Sequence, residues 1–417
     1  MRWKASSTAC VPTAPKAPDA VRVTSVPSKR VAPVRLSRHV ALWTRRWITG
    51  EPVLAILLLA FIILEVLRPQ TPPALMGLVD WPTIVTLAGL LMLTKAIEFS
   101  GALDWLARRL LQRVHTQRGL ACLLVLLAAG LATLLTNDVA LFAVVPLALS
   151  LHRLTPLPIK RLVIAIALAV NAGSVLTPLG NPQNLFLWQS SGVSFLAFTW
   201  ALAPLAGVLM LMLVLLTIFL FPPKKFALPT GSGSAPHTLA HPPLDIPLIC
   251  VTGLAFIAFV VLADLRHELI AWSLVLVGYG LWRRNAVLKI DWLLLLIFVL
   301  MFIVLRGVAA LPVILGLLAG VDLRAPLRVY LAAALLSQGI SNVPATILLA
   351  EFTRNWHALA YGVSVGGFGV GIGSLANLIA IRLAGERGIW GPFHAISLPF
   401  FVFATGAGAG LLFYLGK

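Results

Sequence analysis

The feature that most constrains this chain is a succession of apolar runs, many near twenty residues long, separated by short basic loops. No water in a bilayer core satisfies a free N–H or C=O, so such runs must fold as helices that span it. A soluble domain carries about a quarter charged residues. Here 11% of the residues are charged and 59% are hydrophobic, which excludes a water-soluble enzyme. The net charge of +18 comes from 32 Lys and Arg against 14 Asp and Glu. Those positives lie between the apolar runs, the pattern of membrane orientation rather than a nucleic-acid footprint. The expected partner is therefore the lipid bilayer and not nucleic acid. Cys10, Cys122 and Cys250 are too scattered for a metal or disulfide framework.

Residues 1–48 differ from the rest, with ten Lys/Arg, one acid (Asp19) and no apolar periodicity. They read as a disordered cytoplasmic tail. Single spans fit 52–68, 81–99, 201–221, 245–263, 267–282, 291–310, 357–380 and 393–415, with an interrupted one over 161–198. Two further stretches, 119–152 and 327–352, each have two apolar arms around a polar tip, Thr136-Asn137-Asp138 and Ser341-Asn342. Arg108, Arg109, Arg113 and Arg118 precede the first stretch, and Arg153, Lys160 and Arg161 follow it. Cytoplasmic loops collect positive charge, so this stretch enters and leaves from the cytoplasm as a re-entrant hairpin. The second hairpin falls on the outer side. Residues 222–244 form a Pro/Gly/Ser linker between halves 49–221 and 245–417.

The halves share spacing. Asp80-Trp81 and Asp291-Trp292 each open a span, and a cation follows fifteen residues on, Lys95 and Arg306. Both cations are expected to snorkel to water. After the hairpin tips, Gly173, Gly180, Asn184 and Leu185 match Gly366, Gly373, Asn377 and Leu378 with identical separations. Asp80 starts a span from outside and Asp291 one from inside, so the repeats are inverted. The fold class is thus an all-α polytopic membrane protein with about nine spans, two re-entrant hairpins and two inverted-topology repeats with broken helices.

Polar residues concentrate at the interruptions. GSVLTPLGNPQN (173–184) cannot continue a regular helix, because Pro182 lacks an N–H and its ring clashes with the preceding turn. Thr177, Asn181, Gln183 and Asn184 are candidate substrate ligands there. A half-helix beginning near Pro182 presents a partial positive charge to an anion. The second break, 366–377, holds five glycines in eight residues, with Ser374 and Asn377 matching Asn181 and Asn184. Thr136, Asn137, Ser341 and Asn342 supply short oxygen ligands for a hard cation. Asp138 is the one acid that falls deep in an apolar segment. An intramembrane carboxylate marks a coupling-ion site, unless it is salt-bridged to Lys95 or Arg306.

TNDVALFAVVPL (136–147), GSVLTPLGNPQNL (173–185), SQGISNVPATILL (337–349) and IGSLANLIA (372–380) together resemble the ion-transporter superfamily of arsenite permeases, citrate permeases and divalent-anion:sodium symporters. Bacterial inner-membrane anion permeases show the nearest pattern within it. The resemblance implies Na⁺ binding at the hairpin tips, carried here by Asn137, Gly180, Asn342 and Gly373. It also implies a solute carboxylate held at the broken helices, a homodimer, and elevator-like movement of hairpins against a scaffold. The third tip position holds Asp138 and Val343, where the dicarboxylate carriers have Thr.

The expected function is transport of a small anion, an oxyanion such as arsenite or a carboxylate such as citrate, coupled to Na⁺ or H⁺ with no other cofactor or metal. A Na⁺/H⁺ antiporter without organic solute is the alternative. The sequence has no HExxH and no P-loop, so an enzyme is not expected. ATP dependence would require a separate ATPase subunit.

Overall fold

The computed structural model describes residues 52–111, 114–152, 157–225 and 244–415. The basic tail, linker residues 226–243, and Arg113 and Arg153 lie outside them. The described residues form nineteen α-helices with no strand and a single isolated bridge, Thr116 with Lys225. The chain is an all-α polytopic membrane protein.

The first half runs through α1 (Pro52–Leu67), α2 (Pro72–Gly77), α3 (Trp81–Phe99), α4 (Ala102–Leu111), α5 (Gln117–Leu134), α6 (Asn137–His152), α7 (Ile159–Gly173), α8 (Pro182–Ser191) and α9 (Phe195–Leu220). The second half runs through α10 (Ile246–Asp264), α11 (Glu268–Trp282), α12 (Asn285–Leu288), α13 (Trp292–Ala309), α14 (Pro312–Ala319), α15 (Pro326–Ile340), α16 (Asn342–Ala350), α17 (Trp356–Gly366), a 3-10 turn (Gly371–Gly373), α18 (Leu375–Ala384) and α19 (Trp390–Leu415). The order α11 to α19 repeats the order α1 to α9, which leaves α10 as the extra helix between the copies.

Helix starts follow capping chemistry. Asp80 Oδ1 accepts from Thr83 N at 3.0 Å, and Asp291 Oδ1 accepts from Leu294 N at 2.9 Å. The paired Asp-Trp signals are therefore N-caps of α3 and α13. These two helices pack antiparallel. Arg306 near the end of α13 is 3.9 Å from Asp80 at the start of α3, while Lys289 before α13 lies over the Phe99 ring at the end of α3, 5.5 Å from its centroid.

Six helices among the described residues are long and apolar enough to cross a membrane: α3, α5, α9, α10, α13 and α19. Phe219, Leu281 and Val66 are among the most exposed side chains, as a lipid-facing surface requires. Three expectations change. α5 is no short arm, because its 18 residues extend about 27 Å at 1.5 Å per residue. The third and fourth spans part at Gly192, not near residue 200. Gly192 has φ +77 and ends α8, and Ser194 caps α9, which carries Pro204 inside it. Lys95 and Arg306 are not free cations. Lys95 pairs with Glu98 at 2.6 Å. Arg306 bonds Glu351 at 2.8 Å and the Leu78 carbonyl at 2.6 Å. The short helices α4 and α14, one in each half, carry no span and were not anticipated.

Candidate functional site

Each broken helix is held open by the hairpin arm beside it. Thr133, near the end of α5, donates from Oγ1 to the Gly173 carbonyl at 3.0 Å. Its counterpart Gln338, near the end of α15, donates from Nε2 to the Gly366 carbonyl at 2.7 Å. Gly173 and Gly366 close α7 and α17, so in both halves a side chain takes up a carbonyl that the broken helix leaves without a helical partner. Close approach makes glycine necessary at both places. A Cβ on Gly173 would lie 2.1 Å from the Ala129 carbonyl oxygen, and one on Gly366 would lie 2.5 Å from Ser337 Cβ.

Asparagines then shape the breaks. In the first, Asn181 caps α8 by accepting from Asn184 N at 2.8 Å, and its Nδ2 donates to the Ser174 carbonyl at 3.0 Å. Asn184 Nδ2 faces the carbonyls of Ser174, Val175 and Thr177 at 3.2, 3.1 and 3.4 Å. Thr177 Oγ1 donates to the Thr133 carbonyl. Gln183 is buried in the first turn of α8. Gly180 packs its backbone against Ala132 and Ser174. In the second break, Asn377 Nδ2 donates to the Gly367 carbonyl at 2.8 Å, the equivalent of the Asn184–Ser174 bond. Ser374 caps α18 by accepting from Ala376 N, and Gly373 lies against the Gly366 carbonyl. The predicted residues at the breaks thus gather around two loops, and the polar groups of Asn181, Thr177 and Asn377 are largely spent on loop shape.

The two breaks meet through a residue that sequence reading missed. Asn171 of α7 donates from Nδ2 to Asn377 Oδ1 at 2.8 Å and to the Gly367 carbonyl at 3.3 Å, and its Oδ1 accepts from Ser374 Oγ at 2.9 Å. A polar residue two positions before the aligned glycine, inside an otherwise apolar run, was the available signal. The same repeat offset places Ser364 opposite Asn171.

The hairpin tips differ. Ser341 separates α15 from α16 with φ +76 and ψ 157, a conformation otherwise left to glycine. Asn342 Oδ1 accepts from Val343 N at 3.0 Å. In the first tip, Leu135 and Thr136 are the two residues between α5 and α6, and Asn137 and Asp138 start α6. The half-buried Asp138 makes no ion pair or hydrogen bond among the described residues, which removes the salt bridges to Lys95 and Arg306. Thr136 Oγ1, Asn137 Oδ1, Asn184 Oδ1 and Ser364 Oγ are buried oxygens with no partner there. An unsatisfied buried acceptor costs about 1–3 kcal/mol, so these four oxygens are candidates to bond water, an ion or a solute.

A polytopic helical bundle with two interrupted helices meeting between inverted halves is the architecture of a membrane transporter. Residues 40–366 match the citrate transporter family, and the chain belongs to that family. Its members are transporters, not enzymes. The chain is 44% identical over 373 residues to the inner membrane protein YbiR of Escherichia coli, covering 89% of this chain and 98% of that protein. It is 31% identical over 331 residues to the uncharacterized transporter MJ0456 of Methanocaldococcus jannaschii, covering 78% and 86%. A shorter stretch of 143 residues is 32% identical to the silicon efflux transporter LSI3 of Oryza sativa, covering 34% and 30%.

Proposed function

We propose that this protein is a secondary transporter of a bacterial inner membrane, with a cytoplasmic N-terminus. It moves a small anion by alternating access, coupled to Na⁺ or H⁺. The observation that carries this reading is the union of the two breaks through Asn171, which puts polar backbone and side chains from both repeats at one buried place. Non-helical backbone at membrane depth survives only where it lines a cavity or is buried in protein. α8 and α18 both begin at that place and direct their positive ends toward it, which favours an anion. The hairpin tips supply the coupling ion's ligands, with Asp138 as its charged group. The family name supports citrate, and the silicon efflux relative supports an oxyacid or oxyanion.

Uptake and efflux of radiolabelled citrate, succinate, arsenite and silicic acid in proteoliposomes, under imposed Na⁺ and pH gradients, test this. At least one solute should accumulate only when a gradient is imposed, and Asp138→Asn should reduce that accumulation at least tenfold. An unchanged Na⁺ and pH dependence in Asp138→Asn would remove Asp138 from coupling. The unpaired Asp138 carboxylate also favours a Na⁺/H⁺ antiporter, in which it would exchange the two cations. Na⁺-driven alkalinisation of vesicles holding no anionic solute would select that reading.

A further inference from the structure

We propose that His394 of α19 positions the second break, holding its loop in place only while the imidazole is neutral, and that a proton reaching it from the cytoplasmic side releases the loop. This deepens the transport reading and rests on it for the loop's part in moving a solute, but the decisive test needs no solute.

The hydrogen bonds select the tautomer. His394 Nδ1 lies 2.9 Å from the Trp390 carbonyl, and Nε2 lies 3.2 Å from Gly371 N. A carbonyl oxygen can only accept and a backbone N–H can only donate, so Nδ1 carries the proton and Nε2 accepts. A second proton would turn Nε2 into a donor aimed at a donor, and the bond to Gly371 would be lost. Imidazole is the side chain that takes up such a proton within the physiological pH range. The same helix grips the same loop twice more. Ser397 donates to the Gly369 carbonyl at 2.7 Å, and Trp390 packs so closely on Gly371 that a Cβ there would lie 2.5 Å from its ring. From α15, Gln338 Oε1 accepts from Val370 N at 2.7 Å. Among these groups only His394 titrates.

His394 is half-buried, one turn into α19 and about 6 Å along it from Trp390. Just before that helix, the Arg387 carbonyl accepts from Lys160 Nζ at 2.7 Å, so this end of α19 meets the basic loop assigned to the cytoplasm. The other titratable and charged groups on the elements around α19 do not bond the imidazole. Tyr330 of α15 donates to the Thr405 carbonyl, Arg328 pairs with Asp322, and His357 and Tyr361 of α17 both bond the Ala201 carbonyl. Lys160, Arg161, Arg382, Glu386 and Arg387 make no ion pair with it among the described residues. The first break has no equivalent. Aligning Gly173 with Gly366 sets Gly371 opposite Pro178, which has no N–H to give. Counted from the helix starts, His394 falls opposite Thr199 of α9, whose hydroxyl donates to the Phe195 carbonyl of its own helix. The proton-sensitive bond belongs to the second repeat.

Backbone hydrogen exchange over residues 366–374, read by mass spectrometry on the purified full chain in detergent, tests this directly. Each variant is compared with wild type at the same pH, so the intrinsic pH dependence of exchange cancels. His394→Gln offers an acceptor that does not titrate. The ratio of the wild-type exchange rate to that of His394→Gln should rise roughly fivefold or more between about pH 8 and about pH 5. His394→Lys carries donors only, so it should exchange roughly fivefold or more faster than wild type at about pH 8 and like wild type at about pH 5. If His394→Lys does not fold, the glutamine comparison decides alone. A ratio that stays constant with pH, or a folded His394→Lys that exchanges like wild type at about pH 8, would each overturn the proposal. Failure of every solute in the proteoliposome assay, with the pH-dependent ratio intact, would count against the transport reading and leave this one standing.

Discussion

Around the break at 366–374, Asn171, Ser374 and Asn377 saturate one another. Around the break at 173–181, the same backbone plan leaves Asn184 Oδ1 and, across the repeat, Ser364 Oγ with no partner among the described residues. The hairpin tips divide the same way. The first carries unpartnered oxygens on Thr136 and Asn137 and an acid at Asp138, whereas in the second Asn342 Oδ1 is taken up by its own turn. Backbone geometry was duplicated, but polar satisfaction was not. A saturated half-site serves as a fixed joint, and an unsaturated one is equipped to receive something.

The sharpest way to break this contrast is to put a methyl group on each aligned glycine. Gly173→Ala should cost about 3 kcal/mol or more, since its Cβ meets the backbone oxygen of Ala129. Gly366→Ala should cost less, because its first contact, Ser337 Cβ, stands at 2.5 Å and the nearest backbone oxygen, that of Ala334, at 3.1 Å. Thermal unfolding in detergent ranks the pair, and the reverse order would refute the asymmetry of packing. Next in size is Asn171→Ala, which removes three hydrogen bonds and orphans Asn377 Oδ1, for a loss of about 3 kcal/mol. A loss under about 1 kcal/mol would mean that the second half-site is not saturated as described. Ser341→Gly should stabilise by about 1 kcal/mol, because glycine adopts φ +76 without strain. No equivalent gain is expected at Thr136, which has no positive φ. Last, Ser364→Ala should leave the protein no less stable and gain up to about 1 kcal/mol, since it removes a buried hydroxyl that bonds nothing among the described residues.

Much of this was legible in the sequence because membranes punish irregularity. Pro182, the glycines from 366 to 373 and the tips at Thr136 and Ser341 stood out against apolar runs, and each falls at or beside a helix end. Asp80 and Asp291 announced α3 and α13 because capping is local chemistry. The residues that join the repeats were harder to see. Asn171, Thr133 and Gln338 are polar residues inside helices, and the partners by which they join or hold the breaks lie 206, 40 and 28 positions away, while Ser364 has no bond to report it among the described residues. No periodicity reports such a pairing; only the repeat offset does, once Asn171 is set beside Ser364. The helices α4 and α14 escaped notice because 10 and 8 residues are too short for a span signal. Arg306 was read from its distance along one helix, whereas Glu351 and Leu78, from other segments, decide its position.

The tie between Asn171 and the second break also has a mechanical meaning. A side chain from α7 hydrogen-bonded to Gly367, Ser374 and Asn377 ties the two interrupted helices into a single unit. Any stroke that carries one break across the bilayer must carry the other with it, so the sliding surface has to lie elsewhere, between this joined core and the helices around it. A probe of motion placed between α7 and α18 should therefore report a constant distance through the transport cycle, while one placed between α7 and a peripheral helix should report the stroke.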